Sequence, residues 1–172
     1  MFRKATPSDL DAIERIYSEI HTREESGEGT TGWKREIYPT RKTAEASILL
    51  GDMFVQTSYE KVVACGRINR EQIDVYAQVK WQYAAKDDEV MVLHTLAVLP
   101  SEKGRGYGTA FVKFYEQYAK ENGCTVLRID TNRKNLPARN LYKKLGYREA
   151  EIVSCTFNGI PGIGLVCIEK KL

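Results

Sequence analysis

The chain has 172 residues, 42% of them hydrophobic and 28% charged, with a formal net charge of +3. That balance suits one globular domain with a single buried core; no apolar run approaches the ~20 residues of a membrane-spanning helix, and no basic stripe interleaved with aromatics points to nucleic acid. Cys65, Cys124, Cys155 and Cys167 form no Cys-x-x-Cys pair and stand apart from the two histidines, so they read as buried free thiols rather than as a metal site; the amino terminus lacks the apolar core of a signal peptide, and a cytoplasmic protein is expected.

In chain order, Arg3 to Ala5 reads as a short edge strand, and Thr6 caps a helix whose Leu10, Ile13, Ile16, Tyr17 and Ile20 recur at helical spacing. From residue 21 to 39 that period is lost among Gly27, Gly29, Gly32 and Pro39, which predicts a long loop and a lid over a substrate. Thr40 to Leu50 is a second helix, closed by Gly51, and Met53 to Thr57 and Val62 to Ile68 are an antiparallel pair. Ile73, Val75, Ala77 and Val79 alternate as a strand would, before Trp81, Tyr83 and the Asp87-Asp88 pair return the chain to the surface. Val90 to Val98 is a central strand, Arg105 to Asn122 a helix with Phe111, Phe114, Tyr115 and Tyr118 on one face, and Gly123 its stop. Thr125 to Thr131 is a further strand and Pro137 to Leu145 a short helix; Tyr147 to Phe157 and Gly164 to Lys170 close the sheet around a turn at Asn158 to Gly162. The fold class is therefore α/β (α+β), a mixed sheet.

The run Lys103-Gly104-Arg105-Gly106-Tyr107-Gly108-Thr109 lies between the central strand and the long helix. Alternate glycines let several N–H groups point one way, and the helix adds the positive end of its dipole, so the run predicts a phosphate cradle. A P-loop would need Gly-Lys-Ser/Thr at the helix start, and a dinucleotide fingerprint a third glycine where Thr109 or Phe111 stands; both are disfavoured.

What the run resembles is the pyrophosphate signature Arg/Gln-x-x-Gly-x-Gly/Ala of the Gcn5-related N-acetyltransferases (GNAT), with Lys103 at its first position and Gly106 and Gly108 as its glycines. The later segment Asn135 to Tyr147 matches that family's Asn-x-x-Ala-x-x-x-Tyr-x-x-x-Gly-Phe/Tyr, through Asn135, Ala138, Tyr142, Gly146 and Tyr147. The resemblance implies the acyl-CoA N-acyltransferase fold, a mostly antiparallel sheet of about six to seven strands with helices on both faces, and acetyl-coenzyme A as the cofactor. It implies that the central strand and Thr125 to Thr131 splay apart to admit the pantetheine arm. Backbone groups of Lys103, Gly104, Arg105, Gly106, Tyr107, Gly108 and Thr109 would then hold the pyrophosphate, with Leu96, Ala97 and Val98 along the pantetheine and Asn135 and Ala138 beside it.

Tyr142 is the expected acid: a phenol stays protonated at neutral pH and can give its proton to a departing thiolate. A core tyrosine is the plainer reading. His94, placed by strict alternation on one face with Val92, Leu96 and Val98, is either a base for the amine or a hydrogen-bonded core histidine; Leu93 to Val98 resembles the corresponding strand of arylalkylamine N-acetyltransferases. The carboxylate that histone acetyltransferases use as base falls on Val92. Glu89, or Glu24 and Glu25 in the long loop, would attract a cationic amine or simply be solvated. Trp33 and Tyr38 would wall the acceptor pocket or pin the loop to the core. The partner expected is a small-molecule or peptide amine, the resemblance allows a homodimer, and a non-catalytic acyl-coenzyme A sensor and a longer acyl donor are the alternatives.

Overall fold

A computed structural model describes residues 1–172. The elements are β1 (Phe2–Lys4), α1 (Leu10–Glu25), α2 (Arg41–Leu49), β2 (Met53–Ser58), β3 (Lys61–Asn69), β4 (Val90–Val98), α3 (Tyr107–Glu121), β5 (Val126–Asn132), α4 (Leu136–Lys144), β6 (Arg148–Phe157) and β7 (Ile160–Lys171). The seven strands form one sheet in the order β1-β2-β3-β4-β5-β7-β6, antiparallel throughout except for β4 beside β5. No helix is long and apolar enough to cross a membrane.

Helices α3 and α4 cover one face. Phe111, Val112, Tyr115 and Ala119 fall on one side of α3, and all four are fully buried against Met91, Leu93, Leu127 and Ile129. Each large apolar side chain so enclosed contributes roughly 1.5–3 kcal/mol. On the other face α1 and α2 set Ile13, Ile16, Tyr17 and Ala44 over β2 and β3. The rest of that face, over β4, β5 and β7, is covered by the long β3–β4 connection.

That connection departs from the predicted strand. Asp74–Gln78 is a 3-10 helix, because the residues that pack inward are the buried Tyr76 and Val79 and the partly buried Ile73, three apart and therefore on one side of a three-residue turn; β3 pairs directly with β4, which leaves no place for another strand between them. The carboxylate of Glu169, fully buried on β7, pins the next stretch by accepting from the backbone N–H of Gln82 at 2.9 Å and of Tyr83 at 3.2 Å.

Two boundaries also differ. Helix α1 runs on to Glu25, since its buried stripe continues in polar dress: His21 is buried and its Nε2 lies 2.9 Å from the Pro39 carbonyl oxygen. The final turn is only Asn158-Gly159, at φ 49° and 76°, so β7 begins at Ile160 and carries Ile160 and Ile163 back toward the centre of the sheet.

The β4–β5 junction positions the site. Their pairing runs from Val90↔Val126 to Leu93↔Ile129 and stops, after which β5 continues beside β7 alone. At that point β4 carries a bulge: Thr95 has φ 53°, unusual for a β-branched residue, and the register with β3 shifts between Cys65 and Arg67. The extra residue inverts the alternation. Before it Met91 and Leu93 face α3, and beyond it Leu96 and Val98 do. His94 therefore shares a face with Val92 but not with Leu96 and Val98, which corrects the strict alternation read from sequence.

Candidate active site

Where β4 and β5 part, the backbone groups on the exposed side of β4 have no strand to bond, and two cavities open on either side of the parting. The first, of about 510 Å³, follows Leu96, Ala97 and Val98 to the loop Lys103 to Thr109 and the start of α4. Along the loop, the consecutive N–H groups of Gly104 to Thr109 donate to no protein acceptor, although Glu102 and Lys103 before them and Ala110 after them do. Gly106 sits at φ 82° as the N-cap of α3, without a side-chain cap, and so turns these donors outward. A row of free N–H groups at a helix N-terminus fits a pyrophosphate. Gly108 matters by its size: a Cβ there would lie 3.3 Å from Leu141 Cδ2 and 3.8 Å from Val98 Cγ2, narrowing the cleft between α3 and α4. Lys103 lines the cleft, while the exposed Arg105 guanidinium turns to Glu102 at 3.0 Å, so only its backbone serves the cradle.

The second cavity, of about 200 Å³, lies on the far side of the parting and is built from distant pieces of chain. The 30–38 loop supplies Trp33 and Tyr38, the β3 end and the connection after it supply Arg67, Glu71 and Ile73, and Phe157, Ile160, Ile163 and Leu165 close the other side. His94 and Thr95 enter from β4, and Asp130 from β5. Thr31, Trp33, Leu96, Asn135, Ala138 and Tyr142 line both cavities, so the two meet there.

Tyr142 is buried at this meeting point. Burial, reinforced by the charge of Asp130, raises its pKa above the ordinary phenol value and keeps the proton on the oxygen across the neutral range. Asn135 caps α4, its Oδ1 accepting from the Ala138 N–H at 3.4 Å, and also receives the Thr30 hydroxyl at 3.1 Å, which ties the loop to the helix. The loop is held at its other side by Glu24, whose carboxylate accepts from the Thr31 N–H at 2.6 Å, the Thr31 hydroxyl at 2.7 Å and the Gly32 N–H at 3.2 Å. Trp33 packs edge-on to Tyr17 and Tyr38, and the Tyr38 hydroxyl bonds to Thr95 Oγ1 on the bulge. Loop pinning and cavity lining are thus combined in Trp33 and Tyr38.

His94 has a fixed tautomer. The Asn69 amide donates to Asp52 at 2.8 Å, so its oxygen faces His94 and accepts from Nε2–H at 3.0 Å. Burial, with help from the nearby Arg67 charge, lowers the His94 pKa to about 4. Asp130 moves the other way: burial raises it to about 6, against the hydrogen bond from the Tyr76 hydroxyl at 2.8 Å.

Two expected acceptor residues lie elsewhere. Glu25, exposed at the end of α1, is paired with Arg35 at 2.8 Å, and Glu89, at the opposite end of β4, accepts from the Lys86 N–H at 2.9 Å; neither lines either of the two cavities. Sequence reading passed over Asp130. Its signal was there, since Arg128, Asp130 and Asn132 alternate with the apolar Leu127 and Ile129 in an interior strand, where polar side chains need a partner or a job.

Comparison with known proteins bears on the fold and the family. The chain is 33% identical over 152 residues to an uncharacterized N-acetyltransferase of Methanocaldococcus jannaschii, an alignment covering 88% of this chain and 62% of that protein's length. Its fold is similar to a GNAT-family acetyltransferase from Streptococcus agalactiae, with a TM-score of 0.83 at 20% identity over 100% of this chain and 95% of the other. It is also similar to a protein from Salmonella typhimurium solved with its cofactor acetyl-CoA, with a TM-score of 0.69 at 17% identity over 100% and 93%. The family model described as acetyltransferase (GNAT) matches residues 10–147, which spans the cradle, the β4–β5 parting and Tyr142, and the chain belongs to that family.

Proposed function

We propose that this chain is an acetyl-coenzyme A-dependent N-acetyltransferase that acts on a primary amine by direct attack. The observation that carries this reading is the meeting of the two cavities at Tyr142, one lined by free N–H groups and the other by acidic and aromatic side chains. Acetyl-coenzyme A supplies, when bound, the thioester carbonyl that the amine attacks and the thiol that leaves. The Gly104 to Thr109 N–H groups and Lys103 anchor its phosphates, Leu96 to Val98 and Ala138 line its arm, and this fixed placement lowers the barrier by orientation. Tyr142, protonated and facing both cavities, gives its proton to the leaving sulfur. The acceptor sits in the second cavity, where His94 and Asp130 are the groups able to take its proton.

The test is thiol release from acetyl-coenzyme A across a panel of amines, for wild type and Tyr142→Phe, with donor affinity measured by calorimetry. Loss of a general acid costs on the order of 10²- to 10⁴-fold in kcat. The acetyl-coenzyme A Kd should stay within about threefold, because Phe keeps the ring and the free N–H groups of Gly104 to Thr109 are left in place to hold the phosphates. Tight donor binding without turnover on any amine would replace this reading with that of an acyl-coenzyme A sensor.

A further inference from the structure

Asp130 is the first residue of β5 beyond its last pair with β4, so its side chain stands at the mouth of the parting. It lines the acceptor cavity together with Tyr142. The other carboxylates nearby are already neutralised, Glu71 by Arg67 and Asp52 by the same guanidinium. Asp130 has no cationic partner; its one protein hydrogen bond comes from Tyr76, on the β3–β4 connection. A half-buried carboxylate without a counter-charge is costly, and a cavity adjoins it into which a cation can be brought.

We infer that Asp130 binds the ammonium group of the acceptor and is the base that removes its proton, and that the acceptor is a primary amine on an apolar body. This rests on the acetyl-transfer reading above. The apolar body follows from the large apolar side chains that line this cavity along with Asp130, namely Trp33, Phe157, Ile160, Ile163 and Leu165. Asp130 takes one proton from the ammonium; the freed nitrogen lone pair forms the N–C bond to the acyl carbon as the C–S bond breaks. Tyr142 gives its proton to the sulfur and regains one from the new amide nitrogen, and the proton on Asp130 passes to solvent. His94, held neutral and hydrogen-bonded through Nε2, is the weaker of the two bases and orients rather than titrates.

The groups around Asp130 leave its titration legible. The hydroxyls of Tyr38, Tyr76 and Tyr142 and the thiols of Cys155 and Cys167 carry no charge near neutrality. Arg67, Glu71 and His94, from β3, its following loop and β4, complete the set, with Arg67 and Glu71 paired to each other.

The experiment compares Asp130→Asn with wild type, using 2-phenylethylamine and its β,β-difluoro analogue, whose nitrogen is far less basic. For the basic amine, kcat/KM of wild type should rise through a limb near 6, and the variant should lose that limb and fall about 100-fold or more. With the difluoro amine, neutral at about pH 8, the loss should shrink to within about threefold, because no base is then required. In the protein without donor, the Asp130 carboxyl carbon followed by NMR should titrate near 6, and 2-phenylethylamine should shift that midpoint downward while benzyl methyl ether does not. Equal loss with both amines, or no loss with either, would overturn the assignment. No turnover of either amine by a wild type that still binds acetyl-coenzyme A would overturn the apolar-amine assignment, whereas failure to bind the donor would overturn the transfer reading itself.

Discussion

The two cavities are built by opposite means. On the donor side a short contiguous run, Leu96 to Thr109, does most of the work, and it does so with backbone: a bulge, a left-handed glycine and a helix N-terminus. On the acceptor side the same strand contributes three residues, His94, Thr95 and Leu96, and everything else arrives from loops, strand ends and helices scattered between residue 31 and residue 165. Backbone recognition requires particular residue types at fixed spacing, whereas a side-chain pocket requires only that the right groups converge. The first kind of site is written locally in a sequence, and the second is a property of the fold.

The sharpest way to break the comparison is to block the place where the sides meet. Ala138→Phe puts a ring into the lining common to both cavities, and it should lower kcat/KM by about 10²-fold or more through misplacement alone. Circular dichroism and the thermal midpoint should change little, since Ala138 is partly exposed on the short helix α4.

A second prediction concerns the cost of keeping Asp130 charged. Its folded pKa, about 6, lies above the unfolded value of about 3.9, so the native state holds the extra proton between those limits and stability rises as pH falls through 6 toward 4. At pH 7.5 the charge costs up to about 1–3 kcal/mol, and Asp130→Asn should raise the thermal midpoint by a few degrees. At pH 4 the gain should vanish. His94 works in the reverse sense, its pKa lowered to about 4 so that stability is lost as pH falls below the unfolded value of about 6.5; the difference between variant and wild type at each pH isolates Asp130.

The donor side should respond to backbone rather than to charge. Gly106→Val forces a β-branched residue into a left-handed conformation, at about 1–2 kcal/mol, and should weaken acetyl-coenzyme A binding roughly tenfold. The acceptor KM should not move. Nothing stands within 4 Å of a Cβ at Gly106, so the effect is conformational and not a clash.

How much of this was legible follows the same division. The mixed sheet and most helix positions could be read from period and glycine stops, with β4 placed at Val90 to Val98 as found, whereas the number of strands followed from the resemblance. The 73–79 segment misled because a 3-10 turn that packs Ile73, Tyr76 and Val79 inward and an alternating strand share apolar positions over so short a stretch. His94 was put on the wrong face because a one-residue bulge at Thr95 leaves no mark in the pattern until the pairing on both sides is known. Asp130 was missed for a related reason: whether a polar residue in an interior strand meets a helix or a cavity depends on what covers that face, and here the cover is a connection without regular period.

The central claim is that donor and acceptor are brought together through the opening at Tyr142, and the most direct measurement is equilibrium binding of a conjugate that joins 2-phenylethylamine to the coenzyme A sulfur through an acetyl bridge. If the cavities communicate as the geometry shows, the conjugate should bind at least about 100-fold more tightly than coenzyme A alone, the second contact being made at high effective concentration. Ala138→Phe should remove that advantage. A conjugate that binds no better than coenzyme A would contradict the account, for the acceptor would then have to lie outside the cavity that Asp130 faces.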